Sequence, residues 1–223
     1  MREKIPPNHL VVFGRPGSGK STLAERLGSE FGYTLIRTGE LLRAAIRRQD
    51  FLGKRVEAHL ATGDLVPDPL IFEMLEQHLK APGMQKFLFD GFPRTMGQVP
   101  LLEGFEKKLG FQIGAYIDIA VSHAEAVARM TGRRVCPICG ATYHLIGKPP
   151  RVAEICDNDG ARLEKRKDDT PEVVEFRQKI FDDYAVPILR YYQEHAPERF
   201  FVVDGEQPLE AVYAVTVRAL GLA

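Results

Sequence analysis

The chain has 223 residues, 44% hydrophobic and 27% charged, which suits a soluble α/β domain with insertions and excludes fibrous, disordered and disulfide-stapled classes. Lys and Arg number 30 and Asp and Glu number 30, so a global basic field for nucleic acid is absent, although a local basic site is not excluded. No apolar run approaches the ~20 residues of a membrane span, the start lacks signal- or transit-peptide character, and three cysteines fit a reducing cytoplasm.

In chain order, the first predicted element is an apolar strand, Leu10-Val11-Val12-Phe13. Gly14-Arg15-Pro16-Gly17-Ser18-Gly19-Lys20-Ser21 follows, with Thr22 next. The pattern G-x-x-x-x-G-K-[ST] wraps backbone N–H groups inward around phosphate oxygens. Gly17, Ser18 and Gly19 shape that wrap, and Lys20 reaches the β- and γ-phosphates. A hydroxyl from Ser21 or Thr22 can sit near Mg²⁺. Leu23, Ala24, Leu27 and Phe31 then fall at helical spacing, so a helix N-terminus adds its dipole to the anion site.

Beyond this unit, strands are predicted at 34–36, 86–89, 113–119 and 199–203, after the first at 9–13. Helices are predicted at 20–31, 39–48, 52–62, 68–80, 96–109, 122–131, 171–195 and 207–220. The alternation predicts a three-layer α/β/α sandwich on a five-stranded parallel sheet, of the P-loop NTPase type. The chain therefore reads as one core, 1–223, with two insertions. One is helical and lies at 37–66; the other, at 132–169, has no helical periodicity and holds all the cysteines.

Phe87-Leu88-Phe89 ends in Asp90, and Asp90-Gly91-Phe92-Pro93-Arg94-Thr95 follows. An acidic residue at the end of a strand beside the first holds the Mg²⁺ hydration shell in phosphate-loop proteins. The competing reading of Asp90 is a turn or helix cap. Arg43, Arg94, Arg129, Arg133, Arg134, Arg166 and Arg177 flank glycine turns and the insertions, where a planar guanidinium matches the charge spread of a transferring phosphoryl group.

In the second insertion, Cys136-x₂-Cys139 precedes Cys156-x₂-Asp159. Two such pairs read as a zinc-ribbon-like lid with Asp159 in place of a fourth cysteine. His144 is a rival fourth ligand and Asp157 a weaker one. A closed four-ligand shell would make the zinc structural.

Taken together, these motifs resemble adenylate kinase, a nucleoside-monophosphate kinase family, over nearly the whole chain. The resemblance rests on Gly14 to Thr22, Thr38-Gly39-Glu40-Leu41-Leu42-Arg43, Gly63-Asp64-Leu65-Val66-Pro67-Asp68, Asp90 to Thr95 with Gln98, Gly132-Arg133-Arg134-Val135-Cys136-Pro137, and Arg166-Lys167-Asp168-Asp169 with Arg177. It implies reversible transfer of a phosphoryl group from MgATP to AMP, giving two ADP. It implies that Thr38, Arg43 and Gln98, together with the Gly91-Phe92-Pro93-Arg94 turn, bind AMP. Asp64, Leu65 and Val66 would lie beside its base. Arg129 would lie against the ATP adenine, with Thr142, Tyr143 and the backbone of Gln207 on the ATP side. Arg133, Arg166 and Arg177 would close over the transferring group, positioned by Asp168 and Asp169. Long-lid members with a Cys₃Asp zinc set agree with the ligand reading above.

Two departures from the family pattern stand out: Ser21 and Val99 occupy positions that usually hold Gly and Ala. Ser21 puts the magnesium geometry in question. Competing functions are a kinase for another monophosphate or one using GTP, and a zinc-ribbon nucleic-acid-binding or GTPase-type switch module. Neutral charge and the lack of a guanine-reading N/T-K-x-D stretch weigh against the last. The expected enzyme is a cytoplasmic monomer acting on ATP, AMP and ADP, with no nucleic-acid or membrane partner.

Overall fold

The structure, a computed structural model, describes residues 8–49, 51–62, 64–79, 86–145, 147–165 and 169–222. Gly63, Lys80, Arg166, Lys167 and Asp168, named above, lie outside these residues. The elements are β1 (His9–Gly14), α1 (Lys20–Phe31), β2 (Thr34–Arg37), α2 (Thr38–Arg48), α3 (Phe51–Thr62), α4 (Asp68–Leu79), β3 (Phe87–Asp90) and α5 (Val99–Leu109). They continue with β4 (Ala115–Ala120), α6 (His123–Thr131), β5 (Arg133–Val135), β6 (Thr142–His144), α7 (Pro171–Ile180), α8 (Val186–His195), β7 (Phe200–Asp204) and α9 (Leu209–Ala219).

Among the described residues the main sheet has five strands in the order β2-β3-β1-β4-β7, and its pairings are all parallel. β1 lies at the centre and is buried along its whole length. Its side chains alternate between two cores. Val11 and Phe13 pack with residues of α2, α3, α4, α5 and α8, whereas Leu10 and Val12 pack with α1 and α9. A central strand covered on both faces needs apolar side chains at every position, and this explains the uninterrupted run Leu10 to Phe13. The expected three-layer architecture is therefore present, and the phosphate loop leaves the carboxyl end of its central strand, where open α/β sheets bind ligands.

Two expected helices are divided. The 96–109 stretch opens as a single 3₁₀ turn, Met96–Gln98, before α5. Thr95 Oγ1 caps that turn by accepting from the Gln98 N–H at 3.3 Å. Pro100 lies in the first turn of α5, where its missing N–H is harmless. The 171–195 stretch is interrupted by a π turn, Phe181–Ala185. Pro187 sits just beyond it, cannot donate to the Asp183 carbonyl four residues back, and crowds it; a widened turn relieves both problems.

The second insertion forms a small unit around the antiparallel pair β5–β6, with Val135 bridging to Glu164. These short strands were not apparent from periodicity. Among the described residues their own core is a small cluster, Cys136, Tyr143, Cys156 and Leu163, with Ala141 and Ala161 packed against it. Among the described residues, no helix is long and apolar enough to cross a membrane.

Candidate active site

The phosphate loop turns between β1 and α1. Gly17 carries φ 92°, and a Cβ there would lie 2.4 Å from the Ala126 carbonyl oxygen, so only glycine lets the loop pass this close to α6. The Arg15 carbonyl accepts from the Ser18 N–H at 2.9 Å and from Lys20 Nζ at 3.2 Å. Ser18 is almost wholly buried beneath the loop.

Across the loop, Asp90 ends β3 in register with Val12 of β1 and is 6% exposed. Ser21 Oγ donates to Asp90 Oδ2 at 2.5 Å. The serine that departs from the family pattern is thus the hydroxyl facing the acid; Thr22 lines the same cleft. The turn after Asp90 is fixed from several sides. Thr38 Oγ1 donates to the Gly91 carbonyl at 2.7 Å, and Arg94 Nε donates to it at 2.8 Å. Gln98 is buried, and its amide is held at both ends: Oε1 accepts from the Arg94 N–H at 2.7 Å and Nε2 donates to Asp68 Oδ1 at 2.6 Å. Thr95 Oγ1 donates to Asp68 Oδ2 at 3.1 Å.

Basic side chains from separate elements surround one cleft. Lys20, Arg43, Arg94, Arg133 and Arg177 all line it, with Thr38, Asp64, Leu65, Val66, Gly91, Pro93, Gln98 and Thr142. Arg133 makes a two-point contact with Asp169, Nε to Oδ2 at 2.7 Å and Nη2 to Oδ1 at 2.5 Å. Arg177 Nη1 reaches the same Oδ1 at 3.5 Å. Asp169 is 4% exposed, so one buried carboxylate binds two arginines from β5 and α7. Lys20 keeps some contact with water through the open cleft, but protein surrounds it elsewhere. Its ammonium is pulled down to about 8, first by lost solvation; Asp90 opposes that, while Arg94, Arg133 and Arg177 add to it. A cleft with this charge balance is built to receive a polyanion.

Comparison with known proteins agrees. A family model described as adenylate kinase matches residues 12–197. The adenylate kinase of Carboxydothermus hydrogenoformans is 39% identical over 212 residues, spanning 95% of this chain and 98% of that protein. That of Pyrococcus furiosus is 40% identical over 206 residues, 92% of each chain. The chain belongs to the adenylate kinase family. Adenylate kinases transfer a phosphoryl group between ATP and AMP, with Mg²⁺ accompanying ATP, and the enzyme is a nucleoside-monophosphate kinase.

Not every residue expected at an adenylate kinase site faces the cleft. Phe92 is 1% exposed and belongs to the core, so only its backbone borders the turn. Tyr143 is buried in the lid, where its hydroxyl accepts from the Asp157 N–H at 2.8 Å and lies 3.5 Å from Cys156 Sγ. Gln207, expected to contribute its backbone, has its side chain on the surface, where Nε2 donates to Asp204 Oδ2 at 2.9 Å. Arg129 stands at the back of the phosphate loop, with Nε donating to Glu125 at 2.6 Å and Nη1 directed at the Ser18 carbonyl at 3.4 Å.

In the lid, the ligand atoms of Cys136, Cys139, Cys156 and Asp159 all lie within 4.8 Å of one another. This donor set suits a tetrahedral Zn²⁺. The rivals are engaged elsewhere: His144 Nδ1 accepts from the Gly147 N–H at 2.9 Å, and Asp157 Oδ1 from the Arg151 N–H at 2.9 Å.

Asp68, which orients Gln98, had no role in the sequence reading. Its partner is 30 residues away, and spacing carries no trace of that contact. Gln178 on α7 was also missed. It falls one turn after the buried Val174, and a polar residue on an apolar helical stripe is a readable signal.

Proposed function

We propose that Lys20, Arg94, Arg133, Arg166 and Arg177 carry the family reaction in this chain as a charge clamp around the transferring phosphoryl group. The observation that supports this most is the convergence of basic side chains from α1, the turn after β3, β5 and α7 on one cleft beside the buried Asp90. Arg166 enters by resemblance alone. An oxygen of the AMP phosphate attacks the γ-phosphorus of ATP. The bond from that phosphorus to the β–γ bridging oxygen breaks, and the electron pair stays on the β-phosphate of the departing ADP. No general base is needed, because the nucleophile is already an anion. The protein's work is alignment and charge stabilisation.

On this reading the ATP side comprises Gly17, Ser18, Gly19, Lys20, Ser21, Thr22, Arg129, Arg133, Thr142, Tyr143 and Gln207. The AMP side comprises Thr38, Arg43, Asp64, Leu65, Val66, Gly91, Phe92, Pro93, Arg94, Gln98, Arg166 and Arg177. Mg²⁺ supplies charge neutralisation on the ATP phosphates. Asp90 with Ser21 and Thr22 orients its water shell, and the 2.5 Å Ser21–Asp90 contact favours Ser21 as the nearer hydroxyl. Residues 37–66 act as the AMP-binding insertion and 132–169 as a lid that excludes water. Cys136, Cys139, Cys156 and Asp159 hold a structural Zn²⁺, which supplements the small apolar core of this unit. The enzyme works as a cytoplasmic monomer without nucleic-acid or membrane partners. Zero net charge and cysteines free of disulfides favour that setting.

The test is a coupled assay of ATP with AMP, GMP, UMP and CMP in turn. Rapid ADP formation that depends on AMP is the expected outcome. Preferential turnover of a pyrimidine monophosphate, or ATP hydrolysis without need of an acceptor, would overturn the reading.

A further inference from the structure

Arg177 of α7 is followed by Gln178, which is completely buried. Gln178 Nε2 donates to the Pro16 carbonyl of the phosphate loop at 2.9 Å, across 162 residues of chain. Its Oε1 is buried and has no hydrogen-bond partner among the described residues. A buried amide with an unmet acceptor lowers stability, and an apolar side chain of the same length would suit the site better on packing grounds alone. That mismatch calls for a purpose other than stability.

A second tie lies one turn further on. Asp182, in the π turn Phe181–Ala185, accepts from Arg15 Nη2 at 2.5 Å. The Arg15 guanidinium lies 4.9 Å from the centre of the Phe181 ring. The other end of Arg15 is its carbonyl, which receives Lys20 Nζ at 3.2 Å. The outer arm of the phosphate loop, Arg15-Pro16, is thus held by two independent contacts, one to α7, which carries Arg177, and one to the π turn that follows it. The same arm anchors Lys20.

We propose that Gln178, aided by the Arg15–Asp182 pair, is a positioning residue that sets the phosphate loop against α7 so that Lys20 and Arg177 address the same phosphoryl group. The inference rests on the roles of Lys20 and Arg177 given above. Neither Gln178 nor Asp182 need touch a nucleotide. Their effect is on alignment, and small losses of alignment are costly in phosphoryl transfer.

The experiment compares Gln178→Met, Asp182→Asn and the double variant with wild type. It measures kcat, KM for ATP and AMP, and the thermal midpoint. Gln178→Met keeps the volume, removes the donor and deletes the unmet Oε1. It is expected to hold or raise the midpoint while lowering kcat by about five- to twentyfold, with KM for AMP changing by less than about twofold. Asp182→Asn, at a partly exposed pair, is expected to lower kcat by about two- to fivefold with no change in midpoint. The opposite signs of activity and stability are what a packing residue would not give. A kcat within twofold of wild type in the double variant overturns the proposal, and so does a fall in kcat that follows a fall in midpoint. Lys20→Met and Arg177→Ala run alongside. If they abolish turnover while Gln178→Met leaves kcat at the wild-type value, positioning alone fails. If they leave turnover intact, the site reading beneath it fails.

Discussion

Lys20→Met should separate stability from catalysis. In the folded protein the ammonium is pulled from its ordinary 10.5 to about 8, chiefly by lost solvation. At about 1.36 kcal/mol per pH unit, that depression corresponds to ~3.4 kcal/mol against the charged form at neutral pH. Water in the open cleft screens much of this, so about 1 kcal/mol is a fair net gain for a neutral isostere. In a chain of this size such a gain raises the melting point by about 2–4 °C. Turnover should move the other way. Losing one preorganised charge on the β/γ oxygens costs ~3 kcal/mol in the transition state, or at least ~100-fold in kcat. The pH dependence supplies a second check. Lys20 has a lowered folded pKa, so between pH about 8 and 10.5 the unfolded chain holds a proton that the folded protein has released. Stability contributed at this site therefore rises with pH through that window, and the Met variant should lack the rise. Scanning calorimetry from pH 7 to 10.5 and a coupled ADP assay measure both quantities. A folded variant that keeps more than a tenth of wild-type kcat, or whose melting point drops by several degrees, refutes the reasoning.

Other outcomes follow from the same geometry. Arg94→Ala should weaken AMP binding by about 10- to 100-fold while leaving ATP affinity nearly intact, as two calorimetric titrations would show. Ser21→Gly, which restores the usual family residue, should raise the Mg²⁺ concentration for half-maximal rate by about fivefold, the worth of one hydroxyl contact; an unchanged Mg²⁺ titration curve would remove Ser21 from the magnesium site. Asp159→Ala should lose zinc in metal analysis and lower the melting point, whereas His144→Ala should keep the metal. Zinc retained by the first variant and lost by the second would reverse the ligand choice.

Much of the fold was written locally. The run Leu10 to Phe13 and the glycine loop placed β1 and α1 because burial on both faces and phosphate geometry each impose a short-range pattern. Asp90 was legible as a strand end, and the registered pairing of β3 with β1 puts it where that reading required. What stayed hidden depends on partners far apart in the chain. The amide of Gln98 is held by Asp68, and Ser21 rather than Thr22 faces an acid 69 residues away. The break between α7 and α8 follows from Pro187, whose effect on a helix also depends on whether the tertiary setting tolerates a wide turn. Tyr143 has a packing role that its place in a motif did not show: the second insertion, with few apolar residues, uses this ring in its own core.

On the proposed roles, the charge balance of this site favours closure in the presence of its ligand. Two buried carboxylates lie among the cations of the cleft, Asp90 lining it and Asp169 behind two of its arginines, and each is already committed. Asp90 takes the Ser21 hydroxyl, and Asp169 takes Arg133 through both oxygens and Arg177 through one. Lys20 sits among these charges with its proton affinity lowered first by lost solvation, and Arg94, Arg133 and Arg177 all push it down further. Bringing a lid arginine nearer to Lys20 without phosphate would sharpen that repulsion in a medium drier than water. Nucleotide phosphates reverse the sign, because they add the anionic charge that the protein withholds. On the proposed roles, nucleotide phosphates in the cleft favour closure. Water is then shut out at the moment when its entry would waste ATP.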